Sequence, residues 1–140
     1  MNIFVDANIL VSVLNKEYPL FPITSRILSL GHPSRSQFKV FTSPLCLAIA
    51  FYFAEKKHGR KIAKLKIGLL AEHLHISTVD EATVTKSLKN KHINDFEDGM
   101  EYYSAVQAGC KCIVTEDASD FFFSSIEVMG SEEFAEKYMR

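Results

Sequence analysis

The chain has 140 residues, with 16 Lys plus Arg against 17 Asp plus Glu, 47% hydrophobic residues and a net charge of −1, the profile of a single globular domain spanning 1–140. A domain of this length buries roughly two-thirds of the surface its unfolded chain exposes, so it needs neither disulfide nor structural metal to build a core. Near-neutrality excludes binding of nucleic acid through bulk positive charge, which requires a basic chain.

Ile3-Phe4-Val5 reads as a buried strand ending at Asp6, and Ile9, Leu10, Val13 and Leu14 follow at helical spacing. Tyr18-Pro19 and Phe21-Pro22 interrupt that helix, and Ile23 to Leu30 predicts a second, stopped by Gly31 and Pro33. A strand over Phe38 to Phe41 precedes Ser43-Pro44, an N-cap followed by proline at the first helical position, which starts a helix from Leu45 to about Lys57. Arg60 to Leu74 predicts an amphipathic helix with Ile62, Leu65, Leu69 and Leu70 on one face. After a β-prone Ile76 to Val79, Asp80 caps a helix over Glu81 to Leu88, and Asp95 to Ala108 forms another that Gly109 ends. Cys112 to Val114 and Ile126 to Met129 are the last strands, and Ser131 is placed to cap a terminal helix.

Strands separated by helices specify an α/β fold: three layers, α/β/α, around a mainly parallel sheet of four or five strands. The three cysteines, Cys46, Cys110 and Cys112, are an odd number set in apolar runs, and no Cys or His pair completes a zinc set, so they read as buried thiols. With no membrane-length apolar stretch and no basic leader ahead of the first strand, the expected location is the cytoplasm.

Neutrality hides an uneven layout. Lys56 to Lys91 carries nine Lys or Arg residues, whereas Asp95 to Asp120 holds seven acids and the single base Lys111. In a parallel sheet ligands bind at the carboxyl ends of strands, where Asp6, Asp117 and Asp120 fall, and Asp95 and Asp98 repeat the three-residue spacing of Asp117 and Asp120. Taken singly, each acid reads as a helix cap or a solvated side chain. Together they point to a shared cation, because crowded carboxylates stay ionised near pH 7 only around one. Oxygen donors without His or Cys select Mg²⁺ or Mn²⁺, and such an ion activates water for phosphodiester chemistry.

Three segments resemble the PIN domain family of VapC-like toxin ribonucleases. Ile3-Phe4-Val5-Asp6-Ala7-Asn8-Ile9-Leu10 is similar to the family's opening strand. Asp98, Ala105 and Gly109, at offsets 0, 7 and 11, resemble its third-acid helix, and Thr115-Glu116-Asp117-Ala118-Ser119-Asp120-Phe121 its Thr-x-Asp-x-x-Asp-Phe signature. Asp95-Phe96-Glu97-Asp98 with Tyr102-Tyr103-Ser104-Ala105 is similar to a subgroup of small bacterial members.

The resemblance implies Asp6, Asp98 and Asp117 as catalytic residues and metal ligands, joined by Asp95 or Asp120, with Asn8 and Thr115 orienting them. It implies an RNA substrate, held along its backbone by Lys56, Lys57, Arg60, Lys61 and Lys64, a small antitoxin as partner, and a homodimer. One position departs: the family's helix after the second strand carries a Glu six residues beyond a Ser or Thr, and counting from Ser43 that residue is Ile49. The alternative is therefore a degenerate PIN module that binds RNA or a protein without cutting. A phosphotransfer receiver domain lacks support because position 8 is Asn rather than a second Asp.

Overall fold

The computed structural model describes residues 1–32 and 37–139. Its elements are β1 (Asn2–Val5), α1 (Ala7–Leu14), α2 (Phe21–Ser29), β2 (Lys39–Thr42), α3 (Pro44–His58) and α4 (Arg60–Ala71), followed by β3 (His75–Ile76), α5 (Glu81–Lys89) and α6 (Phe96–Gln107). The chain continues through β4 (Cys112–Val114), a 3₁₀ turn at Ala118–Phe121, β5 (Glu127–Met129) and α7 (Ser131–Tyr138).

The sheet runs in the order β3-β2-β1-β4-β5 and every pairing is parallel. β1 lies at its centre, paired from Ile3 to Val40 and to Cys112, which explains why Ile3, Phe4 and Val5 are entirely buried and read as an unbroken apolar run. α1 packs on α3, α2 on α7 and α5 on α6, the grouping expected when right-handed crossovers put the helices after β1 and β2 over one face and those after β3 over the other. Because the chain winds outward from β1 through β2 to β3 and returns to β4, the strand order reverses beside β1. That reversal opens a crevice at the carboxyl ends of β1 and β4.

Local chemistry explains most boundaries. Ser43 accepts the Cys46 N–H at 3.1 Å with Pro44 opening α3, and Gly109, at φ 74°, ends α6 in the left-handed region. Pro22 lies inside the first turn of α2 rather than breaking a helix, since an N–H there has no helical partner to lose; Pro33 lies outside the described residues. Asp80 accepts the Thr83 N–H at 3.1 Å while Thr83 Oγ1 takes the Asp80 N–H at 2.7 Å. Asp80→Ala should therefore lower the urea midpoint of unfolding, with Asp80→Asn nearly neutral.

Two expectations are corrected. Ile62, Leu65 and Leu69 of α4 face solvent at 47%, 58% and 58% exposure; the side chains that α4, packed on α3, turns into the core are fully buried Ala63 and partly buried Ile67 and Leu70. Ser131 does not cap α7 but is its first residue: its N–H is taken by the Glu116 carboxylate at 2.9 Å, a partner brought from the β4 exit. All three cysteines are buried and free, as read. Among the described residues no helix is long and apolar enough to cross a membrane.

Candidate metal centre

Asp6 stands where β1 ends and α1 begins. Its N–H donates to the Val114 carbonyl of β4 at 3.0 Å and its Oδ1 accepts the Ala7 N–H at 2.6 Å, so the side chain caps α1 at the sheet's carboxyl edge. Oδ2 accepts from the Thr115 hydroxyl at 2.7 Å. The same hydroxyl accepts from Asn8 Nδ2 and from the Asp117 N–H, both at 3.1 Å. Its one donor and two acceptor positions are all used, which leaves Thr115 a single orientation. Asn8 also donates to Asp117 Oδ2 and accepts the Glu116 N–H, each at 3.2 Å. Asn8 and Thr115 thus tie the strand-end acids of β1 and β4 together.

The opposite rim comes from α6. Asp95 caps it, its Oδ1 accepting the Glu97 N–H at 2.9 Å and the Asp98 N–H at 3.3 Å, and Asp98 follows in the first turn. Asp6, Asp95, Asp98, Asp117 and Asp120 all line one cleft of about 450 Å³, joined by Glu17 and Glu97. Ile49 lines it too, with Val11 and Phe53.

A family model described as PIN domain matches residues 2–119. The chain belongs to the PIN domain family. It is 30% identical over 145 residues to ribonuclease VapC1 of Aquifex aeolicus, an alignment covering 97% of this chain and 94% of that protein. Among solved structures it resembles VapBC2 from Rickettsia felis bound to a DNA fragment from their promoter, with a TM-score of 0.70 at 15% identity over 93% of this chain and 98% of that one. VapBC-1 from nontypeable Haemophilus influenzae gives a TM-score of 0.70 at 16% identity over 94% and 99% of the two chains. Mycobacterium tuberculosis VapC20, a Sarcin-Ricin loop cleaving toxin, gives 0.61 at 14% over 79% and 86%. These structures share the PIN fold.

Two groups beneath the PIN cleft escaped the sequence reading. Glu101 is 1% exposed, and its Oε1 accepts from the Sγ of fully buried Cys46 at 3.1 Å. Ligand atoms of Asp6, Cys46 and Glu101 lie within 4.8 Å of one another. Glu101 was findable, since it follows Asp98 by three residues on one face of α6. Nothing in the sequence connects Cys46 to Asp6. By contrast, Lys56, Lys57, Arg60, Lys61 and Lys64 do not line the cleft. Lys57 Nζ donates to the Asn15 carbonyl at 2.6 Å, Lys56 sits 4.7 Å over the Tyr52 ring and Arg60 pairs with Glu55 at 3.0 Å.

The electrostatics fit a divalent cation. Among the described residues no Lys or Arg forms a salt bridge with a cleft acid; the pairs that form, Arg60–Glu55 and Lys137–Glu127, lie elsewhere. Burial, and then the charges of Asp95 and Asp6, push the half-buried Asp98 carboxyl up to about 7. Burial, and then the Asp6 charge, push Glu101 to about 10. Burial, followed by the charges of Glu101 and Asp6, also raises the Cys46 thiol and favours its protonated form in the metal-free protein. The accessible donors are oxygens, the set that Mg²⁺ and Mn²⁺ take. In ¹³C-detected titration of metal-free protein, Asp98 should show a midpoint near 7. Mn²⁺ or Mg²⁺ should displace that proton and make affinity rise with pH; a midpoint below 5 with metal absent would contradict this electrostatic picture.

Proposed function

We propose that this PIN protein is a Mg²⁺- or Mn²⁺-dependent endoribonuclease, the toxin of a pair held in check by a small antitoxin. The observation that carries the reading is the convergence of cleft carboxylates from β1, β4, the 3₁₀ turn and α6 with no cationic side chain among them. Asp6, Asp98 and Asp117 would hold the ion, with Asp95 and Asp120 beside them. When bound, the metal lowers the pKa of a coordinated water and offsets charge growing on the phosphoryl oxygens. The Thr115 hydroxyl and the Asn8 amide fix the Asp6 and Asp117 oxygens so that they need not reorganise during the reaction.

Ribonuclease VapC1 supports RNA as the substrate, and the VapBC structures support a second protein as partner. The exposed Ile62, Leu65 and Leu69 of α4 offer apolar surface to an antitoxin or to a second copy of the chain. Lys56, Lys57, Arg60, Lys61 and Lys64 begin one turn beyond Phe53 on α3 and, outside the cleft, would hold phosphates flanking the cut.

One observation favours the second reading, a module that binds without cutting: Ile49, at the position where the family resemblance leads one to expect a carboxylate, lines the cleft. Purified protein assayed on single-stranded and structured RNA, with and without Mg²⁺ or Mn²⁺, separates the two. Metal-stimulated cleavage establishes the nuclease; RNA binding with no cleavage and no calorimetric metal binding establishes the module.

A further inference from the structure

The cleft has a mixed lining. Beside the carboxylates stand three apolar side chains, Val11 of α1 with Ile49 and Phe53 of α3. Ile49 and Phe53 are four residues apart and share a face of α3, and Phe53 is 45% exposed, its ring set edge-to-face against Tyr52 at 5.3 Å and 79°. A hydrated cation and a free phosphate would satisfy the acids and leave the apolar side chains wet. A nucleotide answers both, because its phosphate takes the metal side while its base presents a flat apolar face a few ångströms away.

We infer that Val11, Ile49 and Phe53 form a nucleobase subsite, in which an unpaired base next to the scissile phosphate stacks on the Phe53 ring and packs against Ile49 and Val11. This rests on the nuclease reading and deepens it. The cleft volume of about 450 Å³ falls within the roughly 300–1,000 Å³ typical of small-ligand sites. A base inside a duplex has both faces covered by its neighbours, so the subsite selects single strands and loops. Aromatic stacking of this kind tolerates all four bases, and the subsite therefore contributes affinity for unpaired RNA rather than a sequence code. An apolar side chain from a protein partner would cover the same three residues but would bring no phosphate to the acids. Ile49 thus has a use that a carboxylate would remove.

The chain contains no tryptophan, so Phe53→Trp installs a single reporter. The probes are a single-stranded hexaribonucleotide, its duplex and an abasic hexamer with the same phosphates, each titrated with Ca²⁺ in place of Mg²⁺ to limit turnover. The single strand should quench the tryptophan; the duplex and the abasic chain should not. Phe53→Ala should weaken single-strand binding by about 5- to 150-fold, the range for loss of one stacked base, and leave abasic binding unchanged. Phe53 is half-exposed, so circular dichroism should show the variant folded.

Equal quenching by the abasic chain, or unchanged hexamer affinity in Phe53→Ala, overturns the subsite even if metal-stimulated cleavage persists. So does a Phe53→Ala defect confined to a protein partner. Quenching by the single strand in a protein that cleaves nothing upholds the subsite while the nuclease reading fails.

Discussion

Asp6→Asn should lower metal-stimulated RNA cleavage by more than about 100-fold, because loss of an outer hydrogen-bond partner alone costs roughly 10- to 100-fold at metal sites and Asp6 is proposed as a direct ligand. The substitution isolates charge from architecture. Asn caps a helix as well as Asp does, so the 2.6 Å bond from the Ala7 N–H survives, while the bond from the Thr115 hydroxyl is lost, because both acceptor positions of that hydroxyl are taken by Asn8 and the Asp117 N–H. Removing one of several crowded acids relieves repulsion and offsets that lost bond, so the metal-free variant should melt no lower than wild type while losing most of its Mn²⁺-dependent rise in melting temperature. A variant that cleaves at the wild-type rate would exclude Asp6 from the metal set. One that melts well below wild type would show that the bond from Thr115 to Asp6 outweighs the repulsion relieved.

Glu101→Gln is the second large expectation, and it appears in stability. Glu101 in the folded, metal-free protein is raised from 4.5 to about 10, so its contribution is full below pH 4.5 and is lost as pH rises through about 10. Asp98 is raised from 3.8 to about 7, so its contribution is full below pH 3.8 and is lost by the time pH has risen through about 7. Wild type should therefore become less stable from pH 4 upward, with Glu101 dominating above pH 7. Gln keeps the neutral shape at every pH. The metal-free variant should melt at a constant temperature between about pH 7.5 and 9.5 and exceed wild type by at least about 5 °C at pH 8.5, since a buried acid shifted this far is worth more than 1 kcal/mol. Parallel melting curves over that window would refute the assignment of a buried neutral carboxyl.

The sequence was informative where chemistry is local. A strand-end Asp, a capped helix and a Thr-x-Asp turn are each specified within a few residues, so β1, α6 and the β4 exit, together with the five acids lining the cleft, were legible. Relations across the sheet were less so. Ser131 has the composition of a cap, yet Glu116 reaches α7 first because the β4 exit passes beside it. The α4 stripe has helical periodicity, but periodicity does not say which face turns inward, and Ala63 is the residue that is fully buried. Glu101 reads as one more acid on a helix until α3 brings Cys46 against it, and burial then turns it into a neutral carboxylic acid. Phe53 carries no local signal at all; only the crevice beside β1 gives it a role.

The bond between Thr115 and Asp6 spans 109 positions of chain. β1 precedes the other strands and finds β2 early, but its other edge remains open until β4 has been synthesised, with six helices and two strands between them. Closure over such a distance makes assembly of the cleft a late event in folding. Any shorter N-terminal fragment, from stalled synthesis or proteolysis, holds Asp6 without Asp117 and is chemically harmless. The proposed nuclease would so switch on only when the domain is nearly complete, by which time α4, whose exposed Ile62, Leu65 and Leu69 are offered to a partner, has already been made.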